Sequence, residues 1–171
     1  MHPPRRIAVL IDAENANASS IAEIMAIIAT HGRATIKRAY GDWTTPQLGP
    51  WKKVLSQFAI RPCQQFRHAR AKNASDCALI MDAMEILHAG LADAFCIVSS
   101  DSDYTGLAGR IQEAGLIVYG FGVGQTTQAF RAACDVFVLT DALKLEAGSN
   151  CGISRCLSGN HPELQTQIRS L

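Results

Sequence analysis

Ala94-Phe95-Cys96-Ile97-Val98-Ser99-Ser100-Asp101-Ser102-Asp103-Tyr104 is the stretch on which the fold turns. Five apolar residues in a row, bounded by polar ones, read as a strand buried on both faces. Tyr104, Leu107, Ala108 and Ile111 then recur at helical spacing. Two carboxylates therefore sit where a central strand stops and a helix starts. In an open α/β sheet, ligands bind at that edge, outside the carboxyl ends of the strands.

The flanking segments repeat the theme. Ile7-Ala8-Val9-Leu10-Ile11 is an apolar strand ending at Asp12. Asn17 or Ser19 can cap a helix carrying Ile21, Ile24, Met25 and Ile28, which stops near Gly32. A second strand runs from Ala34 to Tyr40, and Trp51, Val54, Leu55 and Phe58 form a short helical face. Ile60 to Phe66 reads as a third strand, at an edge because of Pro62. Asn73 caps a helix with Asp76 in capping-box spacing; its apolar face is Leu79, Ile80, Ala83, Met84 and Leu87, and Gly90 ends it. After the quoted stretch, Gly115 ends the next helix and Leu116 to Phe121 is a fifth strand. Gly120-x-Gly122-x-Gly124 reads as a tight turn that can line the cleft, since it lacks the dinucleotide fingerprint. A helix from Thr127 to Ala133 and a strand from Val136 to Leu139 complete the pattern. Alternating strands and helices predict an α/β three-layer sandwich with a mostly parallel, Rossmann-like sheet. One domain is expected over residues 5–143, and 144–171 reads as a poorly patterned tail or linker.

Composition sets further bounds. The chain has 171 residues, 48% hydrophobic and 18% charged, which is globular rather than disordered. No apolar run is long enough to cross a bilayer, and a cytoplasmic protein is expected. The six cysteines include no Cys-x-x-Cys pair; Cys151, Cys156 and His161 in the tail are a weak metal pattern. A net charge of +1 gives no global attraction for a polyanion, so any such contact needs a local patch.

Four acids share the carboxyl edge in this arrangement. Asp12 ends the first strand, Asp101 and Asp103 follow the fourth, and Asp76 lies in the first turn of the helix leading into the fourth. If the first and fourth strands are adjacent, all four can face one point. Crowded carboxylates repel and raise one another's pKa values. A hard dication with oxygen ligands, Mg²⁺ or Mn²⁺, relieves the repulsion and can activate water against phosphorus. Taken singly, Asp101 also suits a helix N-cap and Asp76 a capping-box acid. Asn15 and Ser100 are candidates for orienting ligands or waters, and equally suit a turn and a cap. Glu14 is left outside the site, and so is Asp82, which lies roughly 240° around a helix from Asp76.

The segments Leu10-Ile11-Asp12-Ala13-Glu14-Asn15, Tyr40-Gly41-Asp42-Trp43, Lys72-Asn73-Ala74-Ser75-Asp76 with Leu79 and Asp82, and Ser99-Ser100-Asp101-Ser102-Asp103-Tyr104 resemble the NYN domain, a branch of the PIN-like nucleases. The resemblance covers about residues 5 to 143. It implies a metal-dependent ribonuclease with a Rossmann-like sheet, in which Asp12, Asp76, Asp101 and Asp103 are the metal-binding acids and Asn15 sits beside them. Many bacterial members of this look carry a winged-helix-like RNA-binding module downstream. The tail here is too short for one, so it is either absent or the chain is a fragment.

Arg61, Arg67, His68, Arg70 and Lys72 make a basic stretch leading into the helix of Asp76. Arg67, Arg70 and Lys72 are candidates for positioning single-stranded RNA, with Trp43 or Phe66 stacking a base. A solvated loop with Phe66 in the core fits the same residues. The expected function is a metal-dependent endoribonuclease. The alternative is a catalytically silent RNA-binding or scaffold module that retains the acidic site. A phosphatase or receiver-like domain ranks third, because no lysine ends the fifth strand. A homodimer is compatible with such a domain, but no apolar seam identifies it.

Overall fold

Two apolar runs, 7–11 and 94–98, that leave neither face in water set the architecture. A computed structural model describes residues 3–66 and 74–143. The strands are β1 (Arg6–Asp12), β2 (Arg33–Gly41), β3 (Arg61–Gln64), β4 (Ala94–Val98), β5 (Ile117–Gly122) and β6 (Val136–Leu139). The helices are α1 (Ile21–His31), α2 (Trp51–Phe58), α3 (Ala74–His88), α4 (Thr105–Glu113) and α5 (Gln128–Ala132). The sheet order is β3-β2-β1-β4-β5-β6, and every ladder is parallel. This is the Rossmann order, with its switch point between β1 and β4. Ile11 pairs with Val98 in that ladder, so Asp12 and Ser99 emerge side by side at the carboxyl edge.

Alternation within each strand divides the core in two. Ile7, Val9 and Ile11 pack with Cys96 and Val98 against Ile21, Ile24 and Ile28 of α1 and Trp51 of α2. Ala8 and Leu10 pack with Phe95 and Ile97 against Leu79 and Ala83 of α3, Leu107 and Ile111 of α4, and Phe130 of α5. Burial of a Leu, Ile or Phe side chain contributes about 1.5–3 kcal/mol, so these two layers dominate the stability. Gly90 and Gly115 follow α3 and α4 with φ of +62° and +78°, which a residue bearing a Cβ adopts only with strain.

Two expectations change in detail. Strand β3 is shorter than expected, Arg61–Gln64, with Pro62 on the outer edge where no ladder donor is needed. Gly120 and Gly122 are not in a turn but inside β5. A Cβ on Gly120 would lie 2.6 Å from Cys134 Sγ, and one on Gly122 would lie 2.6 Å from Thr126 Oγ1 and 2.8 Å from the Ser99 carbonyl oxygen. Those glycines admit close neighbours; they do not bend the chain. The expected Asn73 cap, the basic residues Arg67, His68, Arg70 and Lys72, and the tail with Cys151, Cys156 and His161 lie outside the described residues. Among the described residues, no helix is long and apolar enough to cross a membrane.

Candidate metal centre

Strand periodicity aims Asp12 the way it aims Ala8 and Leu10, toward α3 and α4. Asp12 is fully buried. It accepts from Asn15 Nδ2 at 2.7 Å, from Ser99 Oγ at 2.9 Å, and from the backbone N–H groups of Glu14 and Asn15 at 3.3 Å each. Burial nevertheless outweighs these donors and raises its pKa. Ser99 Oγ also accepts from the Asp101 N–H at 3.1 Å, so one hydroxyl links the ends of β1 and β4.

Asp101 caps the short 3-10 turn Ser102–Tyr104, accepting from the Asp103 N–H at 3.0 Å. That turn swings Asp103 back over Asp101. Asp76, buried in the first turn of α3, completes a group with them. One carboxylate oxygen from each of Asp76, Asp101 and Asp103 lies within 4.8 Å of the others. The Asp76 pKa is raised, first by burial and then by the charges of Asp12, Asp101 and Asp103. The hydroxyl of Tyr104, itself buried, opposes that shift by donating to Asp76 Oδ1 at 2.8 Å.

The sequence-predicted residues thus separate. Asp76, Asp101 and Asp103 come together. Asp12 is near enough to perturb Asp76 but is not in the three-acid group. Asn15 donates through Nδ2 to Asp12. Ser100 turns away: its Oγ accepts from the Val123 N–H at 2.9 Å. Ser99, one residue earlier, makes the contact to the acids, because alternation sends it to the α3 side and Ser100 to the other. Tyr104 went unnoticed as a polar group because its ring fits the helical apolar pattern. Glu14 accepts from the Asp42 N–H at 3.2 Å and from Ser75 Oγ at 3.4 Å, which brings it beside the first turn of α3. Asp82 is turned from the acids toward β2, where it accepts from Tyr40 and pairs with Arg38. Trp43 is half-buried, its indole N–H donating to the Cys63 carbonyl at 3.1 Å. Phe66 is exposed, not in the core.

All the converging donors are carboxylate oxygens, a set suited to a hard dication such as Mg²⁺ or Mn²⁺. A buried carboxylate raised by burial and by its neighbours' charges, as Asp76 is, is what such an ion would relieve. The residues present therefore fit a divalent metal.

The comparisons with known proteins agree with the fold. A structure of a Vibrio parahaemolyticus protein of unknown function is similar with a TM-score of 0.67 at 22% identity, covering 81% of this chain and 94% of that one. A UDP-N-acetylglucosamine 2-epimerase structure is similar with a TM-score of 0.54 at 12% identity, covering 90% of this chain and 45% of that one. At these identities the likeness is one of fold. Among curated proteins, none matches the sequence. The NYN domain model matches residues 6–143, nearly the whole described α/β unit. With its acids gathered at the switch point of a parallel sheet, the chain belongs to the NYN domain family.

Proposed function

We propose that the protein is a metal-dependent endoribonuclease that hydrolyses RNA phosphodiester bonds. The observation that carries this reading is the convergence of Asp76, Asp101 and Asp103 within 4.8 Å at the switch point, with Asp12 close behind them. Asp76, Asp101 and Asp103 would hold Mg²⁺ or Mn²⁺. Bound there, the ion would supply an acidified water and neutralise charge developing on phosphorus. Tyr104 fixes the orientation of Asp76 through its hydroxyl. Ser99 and Asn15 fix Asp12, whose buried charge adds to the pull on a cation. Asp103, the most exposed of the three, borders the solvent from which substrate and water arrive. In the reaction, water's oxygen bonds to phosphorus, one phosphorus–oxygen ester bond breaks, and the departing oxygen takes a proton.

The substrate on this reading is single-stranded RNA in the cytoplasm. Arg67, Arg70 and Lys72 would contact its phosphates, and Trp43 or the exposed Phe66 would offer a ring for stacking. The test is a gel assay on labelled RNA with Mn²⁺. Cleavage is expected to stop in excess chelator and in Asp101→Asn and Asp12→Asn, with unchanged far-UV circular dichroism. Full cleavage in either variant or in chelator would overturn the mechanism. Calorimetric Mn²⁺ binding without any cleavage would instead identify a silent RNA-binding module.

A further inference from the structure

The cleft at the carboxyl edge does not end at the acids. Beside Asp101 lies an open hollow of about 310 Å³, lined also by Asn15, Ser100 and Val123. These last three residues also line a deeper cavity of about 600 Å³ on the α1 and α2 side of the sheet. A continuous groove therefore leads from the metal centre, past Asn15 and Ser100, into a space of the size that holds small organic ligands. Asn15 and Ser99 form the partition: each touches Asp12 on one side and lines the cavity on the other.

The lining gives the chemistry of the occupant. Ile24, Leu48, Trp51 and Phe121, each almost wholly buried, form its apolar floor, while Thr45, Gln47 and Thr140 add neutral polar groups. Among the described residues lining the cavity, none is lysine, arginine or histidine, and Glu14 is acidic. Such a space disfavours a phosphate. It suits a flat heterocycle with donors and acceptors along its edge. Ser20 adds a separate observation. It lines this cavity, is 2% exposed, and its Oγ has no hydrogen-bond partner within the protein. Buried hydroxyls are seldom left unpaired, and a ligand edge would satisfy this one.

We propose that this cavity is a nucleobase pocket, in which one base of a strand held at the acids turns off the backbone and pairs its edge with Ser20. The inference rests on the ribonuclease reading for the source of the base, but binding at the pocket itself needs no metal. It makes the pocket the place where base identity is read, a few bonds from the phosphate under attack.

The test uses the full chain in chelator, titrated with adenosine, guanosine, cytidine and uridine, and followed by backbone amide shifts. One nucleoside is expected to bind best and to shift Asn15, Ser20 and Val123. Ser20→Ala, which removes only the unpaired hydroxyl, is expected to weaken that binding about two- to tenfold, the usual worth of one hydrogen bond. Gln47→Trp, a change at an exposed rim position, is expected to abolish it while leaving the melting temperature unchanged. No shift with any nucleoside, or the same shifts in Gln47→Trp, overturns the pocket. The two readings fail separately. Mn²⁺-dependent cleavage without nucleoside binding sinks the pocket alone, and selective nucleoside binding without cleavage sinks the nuclease reading alone.

Discussion

Changing Tyr104 to Phe removes one oxygen atom, which donates to Asp76 and also faces Asp12. The ring stays where it is, buried between α3 and α4 with its centroid 6.4 Å from that of Phe130. What is lost is the O–H that donates to Asp76 Oδ1 at 2.8 Å. A hydrogen bond to a charged acceptor contributes about 1.5–3 kcal/mol, and one to a neutral acceptor about 0.5–1.5 kcal/mol. The bond favours ionised Asp76, so its loss lifts a pKa that burial already raises. The sign follows. Above the Asp76 titration the variant is less stable than the parent by about 1.5–3 kcal/mol, and below it the gap narrows toward about 1 kcal/mol. Urea unfolding in chelator at pH 8 and at about pH 3, below the free carboxylate value, measures both gaps. The same change is expected to weaken Mn²⁺ binding about 10- to 100-fold, as loss of a group that orients a metal ligand does. A difference below about 0.5 kcal/mol at pH 8, or equal differences at both pH values, would refute the assignment of Tyr104.

Three further outcomes are expected. Asp12 and Asp76 both have raised folded-state pKa values, so their contribution to metal-free stability is present below the unfolded value of about 3.9 and is lost as pH rises through the folded values. Thermal melts in chelator and in Mn²⁺ from pH 4 to 8 should therefore diverge with increasing pH, and parallel curves would count against the shared carboxylate site. Gly122→Ala drives a Cβ to within 2.8 Å of the Ser99 carbonyl oxygen; a loss of about 1–3 kcal/mol in denaturant is expected, and an unchanged midpoint would contradict the close packing of β5 on the end of β4. Replacing Arg67, Arg70 and Lys72 by Gln should flatten the dependence of log K for single-stranded RNA on log salt by about 2, at about 0.7 per phosphate contact. An unaltered slope would remove these residues from the RNA interface.

Local pattern made much of the molecule legible. The apolar runs 7–11 and 94–98 are strands because neither of their faces tolerates water, and both are fully parallel-sheet strands here. Helical periodicity turned Asp82 away from Asp76, and Asp82 indeed pairs with Arg38 on β2. The acids at strand ends could be found because topology alone gathers strand ends at one edge. A glycine needed for close approach looks, in sequence, like a glycine needed for a turn, which is why Gly120 and Gly122 of β5 read as turn residues. Period-2 alternation from Phe95 and Ile97 points to Ser99, not Ser100, as the hydroxyl that meets Asp12.

What the sequence by itself determined is the set of elements and the edge at which their acids end, since hydrophobic periodicity and breakers act over a few residues. Which acids meet was decided only by the tertiary structure. The adjacency of β1 and β4 and the seating of α3 against Tyr104 depend on contacts between residues 28 to 87 apart in the chain. Charge repulsion and hydrogen bonding are set by ångströms, and those distances exist only once the two faces of the sheet are packed.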